Sequence, residues 1–240
     1  MDKLKVGLAS FGVIVVAVLI LGYMGFIPVL SDLLGANRTQ NLGIKYTDAD
    51  YNSATSKLGI TLAPNSVNST SKILIKGASD VDTTLNSAEL TALVNKLAEK
   101  WKSFPLANTQ IRINSDGSVE VVGSILNERF NDFAQAINLP DAVKSEMAIY
   151  STVVKTNPSF YMKFTLSVNE GVVQSHLDAI KVGNVQVPAS EIDGLQGSLH
   201  NFLQSTLVHQ SKITIKDMVF SDNSVHVVGT LPTELSLSPP

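Results

Sequence analysis

Four histidines, His176, His200, His209 and His226, are the side chains best suited to bind a metal or shuttle a proton near neutral pH. No two of them stand four residues apart, the spacing that lets two imidazoles meet one ion from a helix face, so no metal site is expected. His226 occupies a strand-like stretch at the position matching Glu120, whose neighbours Val119 and Val121 point the other way. Period two therefore places both on a solvated outer face.

Cysteine is absent, which excludes thiolate metal sites, cysteine nucleophiles, disulfides and a lipid-modified cysteine anchor. Neither a G-x-S-x-G elbow, nor H-E-x-x-H, nor a P-loop, nor a dinucleotide fingerprint occurs. The "GLQGS" at 194–198 has the glycines of a phosphate loop, but it falls inside an amphipathic pattern and lacks both a preceding strand and a lysine. Gly194 and Gly197 each cost about 1 kcal/mol against alanine in a helix interior. Tight helix-on-sheet packing is the expected reason, and close approach of a ligand is the functional alternative.

The acid pairs Asp48 with Asp50 and Asp80 with Asp82 lie in turn-like sequence, where aspartate accepts local backbone hydrogen bonds. No Asp-x-Asp-x-Asp-Gly loop argues for calcium. The expectation is a protein without catalytic residues, metal or cofactor.

The elements that surround these residues say more. Net charge is -3 and only 16% of residues are charged, so no basic field exists to hold a nucleic-acid backbone. From Val6 to Leu30 the chain carries no charge, and 25 helical residues span roughly 37 Å against a hydrocarbon core of about 30 Å. The run is too long for a cleaved signal peptide, and "LGAN" at 34–37 has Leu34 where a small side chain is wanted. Lys3 and Lys5 precede it, so residues 1–30 are expected to be a cytoplasmic tip and single-pass anchor in the cell membrane, with everything beyond extracytoplasmic.

Residues 31–71 are rich in Ser, Asn, Thr, Gly and Asp and read as a stalk, within which "YTDADYNSATSKLGITL" can form a short helix and strand packed on the domain. Residues 72–240 read as one α+β domain. In "LNSAELTALVNKLAEKW", Asn86 and Glu89 form a capping box, and Leu90, Leu93, Val94, Leu97 and Trp101 share a helical face. "TQIRIN", the turn "SDG" and "VEVVGSI" then make a hairpin.

The order returns in "VPASEIDGLQGSLHNFLQSTL" followed by "KITIKDMVFSDNSVHVVGTL". Two halves, about 85–125 and 187–231, suggest a duplicated half-domain rather than a short-period solenoid. Between them, "NERFNDFAQAI" and "PDAVKSEMAIY" read as helical, and "FYMKFTLSVNEGVVQSHLDAIKVGNVQVP" as two long strands about the "NEG" turn.

The stretch 164–204 resembles bacterial members of the tubular lipid-binding (TULIP-like) superfamily, including membrane-anchored YpmS-type proteins. Ile180, Gly183, Val185, Val187 and Pro188 carry the likeness: a long strand, a glycine-containing turn and a strand ending in "iG.v.vP", then an amphipathic helix. The earlier "LNSAELTALVN" is similar to the helix after the first strand of such proteins.

The resemblance implies a curved antiparallel sheet wrapped on amphipathic helices, an apolar cavity for acyl chains and no catalytic residues. The inward candidates for its lining are Leu90, Leu97, Trp101, Phe160, Met162, Phe164, Leu195, Leu199, Phe202 and Leu203. The expected function is lipid or other apolar-ligand binding in envelope upkeep. The competing reading is a protein-interaction or structural subunit of a surface complex with a filled core.

Overall fold

The computed structural model describes residues 40–63, 73–129, 132–133, 157–183, 185–208 and 214–237. The expected span at 6–30 and most of the two helical segments after Asn127 lie outside these residues. Among the described residues no helix is long and apolar enough to cross a membrane. The fold is α+β with a mostly antiparallel sheet.

In chain order the elements are α1 (Asp48–Leu58), β1 (Thr61–Leu62), β2 (Ile73–Lys76), β3 (Ser79–Asn86), α2 (Ser87–Lys100), β4 (Leu106–Ile113), β5 (Val119–Ile125), β6 (Ser159–Asn169), β7 (Val172–Val182), β8 (Val185–Gln186), α3 (Ala189–Leu207), β9 (Thr214–Ser221), β10 (Ser224–Leu231) and β11 (Glu234–Leu237). A 3-10 turn occupies Asn127–Arg129.

The capping box written in the sequence forms: the Asn86 side chain accepts from the Glu89 N–H at 2.9 Å, and Glu89 accepts from the Asn86 N–H at 2.9 Å. Thr47 and Asp50 close a second one on α1, and Gly59 ends that helix in the left-handed region. Residues 48–62 are therefore part of the fold, because α1 packs on α2 and β1 pairs in parallel with β11. The short helix and strand read within 31–71 thus form and pack on the domain. Asp80 and Asp82 are corrected from turn to strand, since their alternation with buried Val81 and Leu85 lets β3 pair along its whole length with β10.

β6 and β7 form the spine, two 11-residue strands of roughly 37 Å joined at Glu170 and Gly171, both with positive φ as the "NEG" turn demands. β7 takes one edge of β6. Along the other edge two hairpins sit end to end: β5 pairs over Ser159–Phe164, and β9 pairs at Ser167 and Val168. At the join, a Cβ on Gly117 would stand 2.6 Å from the Phe220 carbonyl oxygen, so only glycine lets the first hairpin's turn meet the second's strand.

The repeated "VVG" has a structural counterpart. β4 bulges between Ala107 and Gln110, opposite Gly123, and the β9 and β10 pairing shifts between Val228 and Gly229. A Cβ at Gly123 would come within 3.0 Å of the Ala107 carbonyl oxygen, and one at Gly229 within 2.2 Å of that of Thr214. Each glycine lets the partner strand crowd in at its bulge.

Candidate functional site

Between the sheet's inner face and the two longer helices lies one continuous apolar cluster. Leu90, Leu97, Trp101, Phe160, Met162, Phe164, Leu199 and Leu203 are all buried in it, and Leu195 is partly buried against it. Phe202 falls on α3, but its side chain lies outside the described residues. Trp101 follows α2 as its C-cap, and its indole N–H donates to the Ala63 carbonyl at 3.2 Å, tying the helix to β1. Sequence spacing thus gathers nine of its ten candidates into one place.

The polar faces of the helices were not anticipated. Among the described residues no strand lies on the outer edge of β4, and α2 supplies its partners from three positions four residues apart. Ser87 Oγ accepts from the Ile113 N–H at 2.9 Å, Thr91 Oγ1 accepts from the Ile111 N–H at 3.0 Å, and Asn95 accepts from the Thr109 N–H at 3.1 Å while donating to its carbonyl at 2.7 Å. The helix does the work of a missing strand and closes an edge that would otherwise recruit another chain.

Among the described residues α3 treats β7 in a similar way with fewer ties. Gln204 accepts from the Val173 N–H at 2.9 Å and donates to the Gly171 carbonyl at 2.9 Å, and Gln196 donates to the Leu177 carbonyl at 3.2 Å. Between them stand exposed His200 on the helix and Ser175 on the strand. The Ser175 Oγ is buried and has no hydrogen-bond partner among the described residues. Ser175 pairs with Leu166 and lies on the inner face, between buried Val173 and Leu177.

α3 is also the weaker helix locally. Pro188 stands where Asn86 stands before α2 and offers no side-chain cap. Gly194 and Gly197 are exposed, and nothing lies within 4 Å of where either Cβ would be. The expected tight packing at these glycines is therefore corrected: the helix turns them away from the sheet and leaves them open.

Two other polar clusters are internally satisfied. Glu120 is 9% exposed rather than solvated, because Arg112, Asn114 and Tyr161 close over it on the outer face. Burial would push its carboxyl up, but hydrogen bonds from those three groups hold it below the usual range; burial and the neighbouring carboxylate push Tyr161 up to about 12. Glu89, at 3% exposure, receives Lys57 at 2.7 Å and Ser53 at 2.6 Å from α1. Burial raises its pKa, and the bonds from Lys57, Ser53 and the Asn86 N–H outweigh that and lower it.

His226 is exposed as expected and meets Asp82 at 2.8 Å. Among the described residues no group of three or more His, Asp or Glu could hold a metal ion. No protein-family model, curated protein or solved structure matches the chain.

Proposed function

We propose that the chain is a membrane-anchored, extracytoplasmic protein whose α+β domain binds a lipid or another apolar ligand without catalysing a reaction. The observation that carries this reading is the contrast between the helices. α2 is capped, packed against α1 and bonded to β4 at three positions. α3 lacks a side-chain cap, carries two open glycines and packs chiefly on β7 over an apolar inner face of Phe164, Leu166, Val168, Val173 and Leu177.

A helix with few local ties opens at lower free energy than the sheet beneath it, and such elements commonly gate ligands. The movable wall would let hydrocarbon enter a core that is closed at rest.

The matched glycines at two bulges support a duplicated half-domain, and bulges bend the strands that carry them, as a curved TULIP-like sheet requires. A span at 6–30 would hold the domain beside its ligand source and raise the effective concentration there.

The second reading, an interaction subunit with a filled core, is favoured by the burial of eight of the ten candidates at 5% exposure or less. Native mass spectrometry of residues 40–240 separates the two; the segment starts at 40 because α1 and β1 belong to the fold. A co-purifying acyl lipid supports the first reading. A bare protein that takes up no fluorescent fatty acid supports the second.

A further inference from the structure

We propose that the notch between Ser175 on β7 and His200 on α3 receives the carboxylate of a single acyl chain, whose hydrocarbon lies along the inner face of β6 and β7. This inference rests on the apolar-ligand reading above and assigns the polar end of that ligand.

The register of helix on strand defines the notch. Gln196 bonds at Leu177 and Gln204 at Val173, so α3 runs antiparallel to β7; eight helical residues rise about 12 Å and four strand residues about 13 Å, and the two elements keep step. Halfway between these footholds, position 200 falls level with position 175. On α2 all three positions of the corresponding stripe bond the strand. On α3 the central one, His200, makes no hydrogen bond among the described residues.

Ser175 brings donors to the same level. The Val173 N–H and Leu177 carbonyl face α3, and the alternation of an antiparallel ladder turns the Ser175 N–H to that edge as well. Its hydroxyl is buried and has no partner among the described residues. A buried hydroxyl normally finds a partner, and leaving one unmade is costly enough that a ligand able to accept from it gains selectively.

An N–H, an O–H and an imidazole suit a carboxylate, which accepts and does not donate. Beside them, the His176 ring lies 3.4 Å from the Gln196 amide and 3.6 Å from the Asp178 carboxylate. Inward from the hydroxyl the neighbours are Leu166, Val173 and Leu177, which take a hydrocarbon chain and nothing charged.

The test is displacement of a fluorescent fatty acid from the full-length chain, held in amphipol, by dodecanoate and by methyl dodecanoate. Wild type should bind dodecanoate at least tenfold more tightly than the ester. Ser175→Ala and His200→Gln should each lower dodecanoate affinity about three- to tenfold and leave ester affinity within twofold, with no fall in Tm of the unliganded protein. If both ligands bind wild type and the variants alike, the notch assignment is overturned while apolar binding stands. If wild type binds neither ligand, the apolar-ligand reading itself falls, and this inference with it.

Discussion

Replacing Gly194 and Gly197 together by alanine should make the protein more stable. Both lie within α3, neither has a positive φ, and nothing within 4 Å opposes a Cβ at either place. Each exchange then returns about 1 kcal/mol of helix propensity, with no packing penalty to subtract. The two changes together are worth about 2 kcal/mol. For a domain of this size each 1 kcal/mol moves Tm by roughly 2–4 °C, so a rise of about 4–8 °C is expected.

Scanning calorimetry on residues 40–240 reads this directly, with urea unfolding as the check that the slope with denaturant is unchanged. A stiffer α3 should also take up fatty acid more slowly, because a movable wall loses what the alanines gain. An unchanged or lower Tm would refute the reasoning, since it would mean that the open space beside the glycines is occupied in the folded protein or that α3 is not helical there.

Three further outcomes follow from contacts elsewhere. Gly229→Ala, which places a Cβ 2.2 Å from the Thr214 carbonyl oxygen, should cost about 1–3 kcal/mol in urea unfolding and more than Gly123→Ala, where the nearest backbone atom, the Ala107 carbonyl oxygen, stands 3.0 Å away. Asn95→Leu leaves the Thr109 N–H and carbonyl without partners at the β4 edge; at roughly 1–3 kcal/mol for each such group, a loss of about 2–6 kcal/mol and a raised tendency to dimerise by size-exclusion chromatography are expected.

Glu89 has a folded-state pKa below its unfolded value, so its contribution is complete above about pH 4.5 and disappears as pH falls through the folded value. The urea midpoint of wild type should fall between pH 5 and pH 3, and that of Glu89→Gln, lower at pH 7, should fall less over the same interval.

Local signals in the sequence were good guides wherever the answer was local. The capping box at Asn86 and Glu89, the "SDG" and "NEG" turns and the apolar alternation of β6 each depend on neighbours within a few residues, and each formed. The stripe Ser87, Thr91 and Asn95 was equally visible as polar residues four apart. Polar residues on a helix ordinarily face water, and the lack, among the described residues, of a strand beside β4 is what gives these a use.

Glu120 failed for a related reason. Alternation places it correctly on the outer face, but alternation cannot see that Arg112 and Tyr161 on neighbouring strands cover that face. The glycines of α3 were read as packing because helix interiors usually need a reason to carry them, and the reason supplied was the commonest one. Asp80 and Asp82 looked like a turn because strands seldom carry two aspartates; pairing with β10, with His226 and Thr230 taking the carboxylates, overrides that preference.

The proposed function turns on α3 being a movable wall over an apolar binding face. Hydrogen exchange on residues 40–240, with and without dodecanoate, tests it most directly. The amides of Ala189–Leu207 should exchange faster than those of Ser87–Lys100 in the free protein and slow on adding the fatty acid, together with those of Val172–Val182. Equal protection of the two helices, or no change in α3 at saturating dodecanoate, would contradict it.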